Sequence, residues 1–383
     1  MARPIPPVRR TPVTGPVIVG GGPAGCAAAI ELARAGRQVT LLERTTTAAD
    51  KVCGDFLSAE AMSRVEALGV SLAGAVPISS LRIIDRRRAA IARLPFAACG
   101  LSRRALDEAL LRRAIAAGAT VLRGQRVSTI EAAGSSLCIR TGESGRMVAD
   151  TVFLATGKHE LRSHSRCAHG SLVGLKMYYR LDPAQRLRLN GHIELMLLRG
   201  GYAGLQRIEA GRAVLCLALD AARLRSVGGQ WAGLLDALID DCPQLGDRLA
   251  GAQALLERPL AVANLPYGYV YRARGRGSPR LFRLGDQVAV IPSLTGAGVA
   301  LALASGSLAA RIWIDGAGSD VYHRRFAAGL RRQMRSAMAV HAMSLSPTIQ
   351  PWIVPTCIMS PRLMRIAAAA TRARRLTHNG YAS

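Results

Sequence analysis

The sequence has few aromatic residues and almost no lysine. Phe, Trp and Tyr make up 4% of the 383 residues, so aliphatic side chains must build most of the core. Lysine occurs only at Lys51, Lys158 and Lys176, and every other basic residue is arginine. With abundant alanine, this bias is typical of a GC-rich genome, and it weakens a nucleic-acid interpretation of the net charge of +26. We therefore expect no nucleic-acid partner, although the charge would favour an anionic ligand.

Cysteine pairs and a secretory signal are also missing. The eight cysteines form no CxxC motif and repeat no spacing. The first fifteen residues are rich in proline and arginine and have no apolar core of the kind that signal peptides need. We therefore expect a cytoplasmic protein with reduced thiols. His159, His164, Cys167 and His169 lie close together in sequence, but their spacing does not match a metal site, and no metal is expected.

Two long stretches lack Asp, Glu, Lys and Arg, namely residues 287–310 and 336–360. Pro292, Gly296 and Gly298 interrupt the first stretch, and three prolines interrupt the second. We therefore expect neither stretch to span a membrane. Residues 336–360 are interpreted either as a hydrophobic lid or as a surface for peripheral contact with the inner membrane.

The most informative motif begins at Val17, where a short apolar strand leads into a glycine-rich turn and an alanine-rich helix. Gly20, Gly22 and Gly25 form G-x-G-x-x-G. These glycines permit a tight turn, a close approach of the backbone to a pyrophosphate, and close packing of the helix on the strand, in that order. Glu43 ends the next strand, at the distance expected for an acid that binds ribose hydroxyls. The segment therefore predicts a dinucleotide whose pyrophosphate lies at a helix N-terminus.

Further segments carry a family resemblance. Pro23 and Ala24 complete GGGPAG, the form typical of flavoprotein Rossmann domains. The segments ATG at 155–157, GD at 285–286 and TGAGV at 295–299 follow in the order seen in two-dinucleotide-binding flavoproteins. With KVCG at 51–54 and RRALD at 103–107, about residues 15 to 310 resemble the p-hydroxybenzoate hydroxylase-like flavoproteins, particularly the branch with geranylgeranyl reductases and flavin-dependent halogenases. The resemblance implies a non-covalently bound FAD.

The resemblance also implies roles for single residues. Asp286 would hold the ribityl chain, and Arg103 would contact the flavin or its diphosphate. A helix that starts near Gly298 would stabilise negative charge on the reduced flavin. The residues expected to bind the cofactor are Gly20, Gly22, Pro23, Ala24, Gly25, Glu43, Arg44, Arg103, Thr156, Gly157, Gly285, Asp286, Gly296, Ala297, Gly298 and Val299. Because no second glycine fingerprint occurs, we expect NAD(P)H to visit the flavin transiently or a partner reductase to supply electrons.

The expected fold is α/β, with a Rossmann-like FAD-binding domain, an inserted antiparallel β-sheet substrate domain and a helical C-terminal region. The FAD-binding domain is predicted at residues 14–80, 100–171 and 275–320, the substrate domain at 81–99 and 172–274, and the helical region at 321–383. Alternating apolar residues between Leu172 and Leu219 indicate the strands of the inserted sheet.

Departures from the family patterns leave the reaction open. Prenyl reductases carry a Tyr followed by W-x-F-P, but here Tyr202 is present without the Trp, Phe and Pro, and the halogenase W-x-W-x-I-P signature is absent. Thr156 stands where aromatic hydroxylases usually have Asp. The candidate catalytic residues are Lys51, Cys53 and Tyr202, and the candidate substrate-binding residues are Lys176, Tyr178 and Tyr202. A solvated loop position for Lys51 and a small buried hydrophobe for Cys53 are equally good interpretations.

Three functional hypotheses follow. The leading one is a monooxygenase that acts on a hydrophobic aromatic or polyketide-like compound through reduced flavin and O2. The second is a double-bond reductase of an isoprenoid or other lipid, which residues 51–54 and 336–360 favour. The third is a basic nucleic-acid or membrane-binding protein with a vestigial flavin fold, motivated by arginines at 362, 365, 372, 374 and 375. The substrate, the proton donor and the oligomeric state are left open.

Overall fold

The fold is given by a computed structural model of the chain. The described residues are 11–12, 15–86, 88–142, 145–166, 170–273 and 278–372. The expectations about Cys167, His169, Arg374 and Arg375, and those about most of the first fifteen residues, lie outside this part of the chain.

The described residues form three sheets, eleven α-helices and three short 3-10 helices. The strands are β1 (Thr11–Pro12), β2 (Val17–Val19), β3 (Thr40–Glu43), β4 (Phe56–Ser58), β5 (Val76–Asp85), β6 (Arg88–Gly100), β7 (Thr120–Arg123), β8 (Val127–Ala133), β9 (Ser136–Thr141), β10 (Gly145–Ala149), β11 (Val152–Leu154), β12 (Leu172–Arg180), β13 (Gly191–Leu198), β14 (Gly201–Arg207), β15 (Ala213–Asp220), β16 (Gln253–Ala254), β17 (Leu260–Val262) and β18 (Leu281–Arg283). The helices are α1 (Pro23–Arg34), α2 (Ala59–Ala67), α3 (Arg103–Ala116), α4 (Pro183–Arg188), α5 (Ala221–Ser226), α6 (Trp231–Asp241), α7 (Pro243–Leu249), α8 (Gly298–Ile314), α9 (Ser319–Leu345), α10 (Gln350–Met359) and α11 (Pro361–Ala370).

A parallel sheet of five strands, in the order β18-β11-β2-β3-β7, forms the first layer. Its central strands β2 and β11 are continuous apolar runs because both of their faces are covered. Ile18 points into the core shared with α1, α3 and α8, whereas Val17 and Val19 pack against the small sheet β1-β10-β9-β8 on the other face. The predicted Rossmann-like unit is therefore present.

Small residues let α1 and α8 pack side by side on this sheet. A Cβ at Gly25 would lie 2.0 Å from the carbonyl oxygen of Gly20, and a Cβ at Gly306 would lie 2.1 Å from that of Ala24. No side chain fits in either place, so the backbones can approach only with glycine. The close packing brings the N-termini of both helices to the same cleft.

A larger sheet of nine strands stands over that cleft. Its path is β16-β12-β15-β14-β13-β5-β6-β4, with β17 paired to β12, and its neighbours are antiparallel except for the parallel pair β13 and β5. One face packs on α6 and α7 around Leu234, Leu238 and Leu245. The predicted α/β class with an inserted antiparallel sheet is confirmed.

The last helices of the described residues are α9, α10 and α11, in agreement with the predicted helical C-terminal region. The prolines of the 336–360 stretch lie around α10, where Pro351 is in the first turn and Pro355 is inside the helix. Among the described residues, no helix combines the length and the apolar composition required to cross a bilayer.

Candidate functional site

The glycine loop connects β2 to α1 and leaves part of its backbone open to a ligand. Gly20 has a φ of +111°, and a Cβ there would lie 2.4 Å from the carbonyl oxygen of Ala155. At Gly22 a Cβ would meet only Nη2 of Arg103, at 3.4 Å. The loop is therefore tightly packed at Gly20 and open at Gly22, which is the geometry that a bound pyrophosphate needs.

Glu43 stabilises the glycine loop through hydrogen bonds. Its Oε2 accepts a hydrogen bond from the backbone N–H of Gly21 at 2.7 Å, and its Oε1 accepts from the N–H and the hydroxyl of Thr45 at 3.0 and 2.8 Å. Burial works to raise the pKa of Glu43, but the charge of Lys51 and these hydrogen bonds outweigh it and hold the pKa below its usual value. Glu43 is therefore ionised at neutral pH, at the strand end where the sequence predicts a ribose.

Arg103 begins α3 and lies beside the loop. Its Nε and Nη2 each donate to an oxygen of Asp107 at 2.8 Å, which makes a bidentate pair one helical turn apart. Lys51 Nζ lies 3.6 Å from the same carboxylate. Burial works to lower the pKa of Arg103, but Asp107 outweighs it and raises the pKa. A fixed guanidinium therefore lies next to Gly22, where it can neutralise a diphosphate.

Asp286 is held by two basic residues that the sequence does not single out. Lys158 Nζ donates to its Oδ2 at 3.2 Å, and Arg166 Nη1 donates to its backbone carbonyl at 2.9 Å. Burial works to raise the pKa of Asp286, but Lys158 and Arg166 outweigh it and hold the pKa below its usual value. Lys158 could have been found from its rarity, since it lines the cavity while the other two lysines belong to the ion pairs around it, Lys51 beside Asp107 and Lys176 beside Asp55.

Two helices begin at this cleft without a side-chain cap. α1 starts after Gly22 and α8 after Ala297, and neither has an acidic residue in its first turn. Their free amides and positive dipole ends favour an anionic ligand. A Cβ at Gly157 or Gly298 would meet nothing within 4 Å, so the cleft has room at both glycines. The residues present therefore fit a dinucleotide whose phosphates face α1.

One cavity joins these elements to the large sheet. Of the sixteen expected cofactor residues, those that line it are Gly22, Pro23, Ala24, Arg103, Gly157, Gly285, Asp286, Gly296, Gly298 and Val299. The remaining six are Gly20, Gly25, Glu43, Arg44, Thr156 and Ala297. Gly20, Gly25 and Glu43 shape the loop, the Thr156 hydroxyl donates to the His159 carbonyl at 2.7 Å, and Arg44 is exposed. Direct contact with the cofactor stays a prediction for all sixteen.

Comparison with known proteins identifies the cofactor. A family model described as an FAD binding domain matches residues 11–148, which contain the glycine loop, Glu43 and Arg103. The chain is an FAD-dependent oxidoreductase with a p-hydroxybenzoate hydroxylase-like FAD-binding domain. A relative of this flavoprotein, the menaquinone reductase of Mycolicibacterium smegmatis, is 27% identical over 334 residues, which cover 79% of this chain and 77% of the relative. The hypothesis of a basic nucleic-acid or membrane-binding protein with a vestigial flavin fold does not fit these findings.

Solved structures of flavoproteins share the fold. The flavin-dependent brominase Bmp2 superposes with a TM-score of 0.78 at 16% identity, over 97% of this chain and 96% of its own. A geranylgeranyl bacteriochlorophyll reductase-like protein from Thermoplasma acidophilum superposes with a TM-score of 0.71 at 18% identity, over 96% and 97%. Both groups expected from the sequence are therefore among the structural neighbours of this flavoprotein.

The cavity has two walls of different character. The cofactor wall consists of Gly22, Arg103, Gly157, Lys158, Asp286 and Gly298, and the sheet wall of Val52, Cys53, Gly54, Gly174, Cys216, Leu217, Leu265 and Tyr267. The candidate Cys53 thus lines the cavity, on the loop that precedes β4. Every charged lining side chain belongs to the cofactor wall, and the sheet wall is apolar apart from thiols and one phenol.

Lys176 and Tyr178 are turned to an internal carboxylate instead of the cavity. Lys176 is fully buried, and its Nζ lies 2.7 Å from Asp55 Oδ2 and donates to the Lys51 carbonyl at 3.0 Å. Tyr178 Oη lies 3.0 Å from a carboxylate oxygen of Asp55 and 3.0 Å from one of Asp50, and can donate its proton to either. Burial raises the pKa of Asp55 against the pull of Lys176. Together these bonds anchor the 50–55 loop, which carries Lys51 and Cys53, to the large sheet.

Sequence reasoning missed this network because its members are far apart along the chain. Asp55 lies 121 residues from Lys176, and no local pattern connects them. One local signal exists, because Asp55 has a φ of +55°, which is uncommon for a residue with a side chain. The roles of Lys176 and Tyr178 as substrate-binding residues stay predictions, and in this structure both side chains hold the loop.

Tyr202 belongs to a second cluster, at the edge of the cavity. Its hydroxyl lies 3.0 Å from Ser293 Oγ, which also accepts a hydrogen bond from Tyr267 Oη at 2.8 Å. The His341 ring meets both phenol rings edge-on, with centroid distances of 5.9 Å to Tyr202 and 5.2 Å to Tyr267. Tyr267 and Ser293 line the cavity, and Tyr202 and His341 stand behind them. Ser293, Tyr267 and His341 carry no sequence motif, and only the fold reveals them.

Burial controls the protonation of this cluster. It raises the pKa of Tyr202 to about 12 and the pKa of Tyr267 well above its usual value, although hydrogen bonds with Ser293 act in the opposite direction. Burial also lowers the pKa of His341, whose Nδ1 is buried without a hydrogen-bond partner. At neutral pH both phenols therefore keep their protons, and His341 is neutral.

Proposed function

We propose that this flavoprotein reduces a carbon–carbon double bond in an apolar, isoprenoid-type lipid. The observation that carries the proposal is the sheet wall, which offers an apolar surface without a charged side chain and has the hydroxyl cluster of Tyr202, Tyr267 and Ser293 at its edge. A substrate with an anionic or cationic head group would need a charged partner inside the cavity, because a buried unpaired charge is costly. An isoprenoid chain needs only apolar contacts.

The buried network supports the same class of substrate. Lys176 lies on β12 of the large sheet, and Asp55 neutralises it in a fully buried ion pair. Gly54 leaves open space at the cavity, since no atom lies within 4 Å of a Cβ built there, whereas a Cβ at Gly174 would meet Val262 at 3.0 Å. This space is suited to a flat or extended apolar group.

Relatives point in the same direction. The mycobacterial proteins that match most of this chain are named menaquinone reductases, and a menaquinone carries an isoprenoid tail. The match to the Mycobacterium tuberculosis protein spans 92% of this chain and 89% of the relative at 28% identity. We therefore propose a prenylated quinone or a related polyprenyl lipid as the substrate.

Different residues of the chain would have different roles in the proposed reduction. FAD, when bound and reduced, supplies the hydride equivalent. Gly22, Arg103 and the N-terminus of α1 bind the diphosphate, and the N-terminus of α8 stabilises negative charge on the ring system. The sheet wall orients the alkene and excludes water. The one proton that completes the reduction would come from Ser293, which faces the cavity; Tyr267 Oη would pass its proton to Ser293 and be reprotonated from solvent.

The electron donor of this reaction is also a proposal. Either NAD(P)H binds transiently at the flavin or a partner reductase delivers the electrons. Anaerobic mixing of the purified protein with NADPH or NADH distinguishes them, because direct donation bleaches the flavin absorption, whereas a requirement for a partner leaves the spectrum unchanged.

The monooxygenase hypothesis uses the same cavity for a hydrophobic aromatic compound and differs in its need for O2. Product analysis separates the two reactions. The reduced holoprotein is incubated with a short-chain menaquinone under strict anoxia and in air, and the lipid is analysed by mass spectrometry. The reductase proposal predicts a gain of two hydrogen atoms in the isoprenoid tail without O2. A product that gains one oxygen atom and forms only in air would establish the monooxygenase.

A further inference from the structure

The C-terminal helices expose an unusual concentration of large apolar side chains. Among the described residues, eleven large hydrophobic side chains are exposed, and seven of them fall between residues 343 and 366. They are Met343, Ile349, Trp352, Ile358, Met359, Leu363 and Ile366. We call these seven side chains the C-terminal patch. Trp352 is 69% exposed and Met359 is 87% exposed, which is costly in water unless another surface covers them.

The helices that carry the patch are firmly attached to the domain. Val354, Cys357 and Met364 are buried against the β5, β6 and β13 region of the large sheet, where they contact Ala92 and Leu197 among others. The Gln350 side chain donates to the Leu198 carbonyl at 3.0 Å and to that of Ser344 at 2.6 Å. The inner faces of α10 and α11 are therefore covered by the large sheet. The exposed apolar side chains lie on the outer faces of these helices.

The charge of this region has one sign. No Asp or Glu follows Asp320, whereas residues 321–383 contain ten arginines. Arg362 and Arg365 are exposed on α11 and alternate with the patch residues Leu363 and Ile366. Exposed arginines interleaved with Trp, Leu, Ile and Met are the pattern of a helix that lies in the interface of an anionic bilayer. A nucleic acid would leave the apolar side chains without a partner.

The patch begins on the helix that borders the cavity. α9 carries His341 and Leu345, which pack with Tyr202 and Tyr267 at the cavity edge. Met343 of the patch is two residues from each of them and therefore points from the other side of the same helix. A bilayer on the patch would thus be separated from the hydroxyl cluster by α9.

We propose that the C-terminal patch docks this flavoprotein on the surface of an anionic lipid bilayer. Trp352, Met359 and the apolar side of α11 enter the interface, and Arg362 and Arg365 pair with lipid phosphates. The contact is peripheral and reversible, since it buries side chains from two short helices and spans nothing. It holds whichever reaction the flavin catalyses.

Vesicle co-sedimentation of the FAD-loaded protein tests the proposal. The vesicles are phosphatidylcholine alone or phosphatidylcholine with phosphatidylglycerol, at low and high salt. We expect binding to the anionic vesicles, weaker binding at high salt, and a blue shift of tryptophan emission that Trp352→Phe removes. The triple variant Trp352→Ser, Met359→Ser, Ile366→Ser should bind at least about tenfold more weakly. Arg362→Gln with Arg365→Gln should weaken only binding to the anionic vesicles.

The matched control is Ile115→Ser, Leu122→Ser, Leu187→Ser, which removes exposed apolar side chains elsewhere on the surface. It should bind vesicles as the wild type does, and the flavin spectrum and thermal unfolding of both triple variants should match the wild type. Failure of the wild type to sediment with anionic vesicles would overturn the proposal, as would equal binding by the patch variant. A dimer that the patch variant dissociates, without vesicle binding, would instead assign the patch to a second copy of the chain. Duplex DNA that competes fully with the vesicles would also contradict it.

Discussion

The cofactor wall and the sheet wall of the cavity are built in opposite ways. In the cofactor wall, charges are exposed to the ligand and fixed by partners, as in the Arg103–Asp107 and Lys158–Asp286 pairs. Behind the sheet wall, the ion pair between Lys176 and Asp55 is withdrawn from the cavity. The first wall is suited to bind a charged cofactor permanently, and the second to admit an apolar substrate. The difference indicates that binding of the cofactor and chemistry on the substrate can be disrupted separately.

The largest expected effect concerns the sheet wall. Tyr267→Phe removes the hydroxyl that donates to Ser293 and should slow substrate reduction by about a hundredfold to ten-thousandfold, the usual contribution of a general acid. FAD content and its spectrum should not change. Tyr179→Phe is the control, because Tyr179 is buried in the core on the opposite face of the sheet. Full activity in Tyr267→Phe would remove the hydroxyl cluster from the mechanism.

A large effect on stability is expected within the buried network. Lys176→Met leaves the Asp55 carboxylate without its cation in a fully buried place and should lower the free energy of unfolding by about 3–5 kcal/mol. The double variant Lys176→Met, Asp55→Leu removes both charges and should regain most of this loss. Urea denaturation of the three proteins measures the values. If the single variant is as stable as the wild type, the network does not anchor the 50–55 loop.

The cofactor wall is tested by a pair of glycines. Gly22→Ala introduces a methyl group where only Arg103 Nη2 lies within 4 Å, so the protein should fold, but FAD should bind more weakly by about a hundredfold. Gly54→Ala places the same group in the sheet wall, where nothing lies within 4 Å, and should leave FAD affinity unchanged. Fluorescence titration of the apoproteins with FAD gives both values. Equal affinities would contradict the assignment of the two walls.

The smallest effect is a difference in pH dependence. Because the pKa of Asp286 is lowered in the folded protein, its contribution to stability is present above about pH 4 and lost as the pH falls through the folded value. Asp55 has a raised pKa, so its ionisation costs stability as the pH rises above the ordinary value. Asp286→Asn should therefore reduce the loss of stability of the apoprotein in acid. Asp55→Asn should change the slope of the free energy of unfolding against pH in the opposite direction. Equal slopes for the two variants, measured by denaturation at a series of pH values, would reject this account.

The sequence predicted the cofactor wall far better than the sheet wall, and the reason is physical. Glycine is required at positions 20, 22 and 25 by the local backbone conformation, and these positions have a fixed spacing within one strand, turn and helix. Glu43 and Asp286 follow from strand ends in the same way. The fold class was predictable because it rests on these periodic segments.

The sheet wall depends on residues that meet only through the fold. Tyr202 and Ser293 are 91 residues apart, and His341 reaches them from a third element. The alternation of a strand shows that Lys176 and Tyr178 point to the same face of the large sheet. It does not show that Asp55 lies against that face. Lysine rarity was a usable local signal, since Lys158 lines the cavity and the other two lysines of this arginine-rich chain belong to the ion pairs around it.

The most direct test of the central claim is anaerobic stopped-flow absorption of the reduced protein mixed with geranylgeraniol, an isoprenoid that has no quinone ring. Such a compound can oxidise the flavin only by reduction of one of its double bonds. The account predicts return of the oxidised flavin absorption without O2, at a rate that falls in Tyr267→Phe and not in Tyr179→Phe. Two results together would contradict the account. They are a flavin that stays reduced with geranylgeraniol until O2 is admitted, and a short-chain menaquinone whose isoprenoid tail is not reduced.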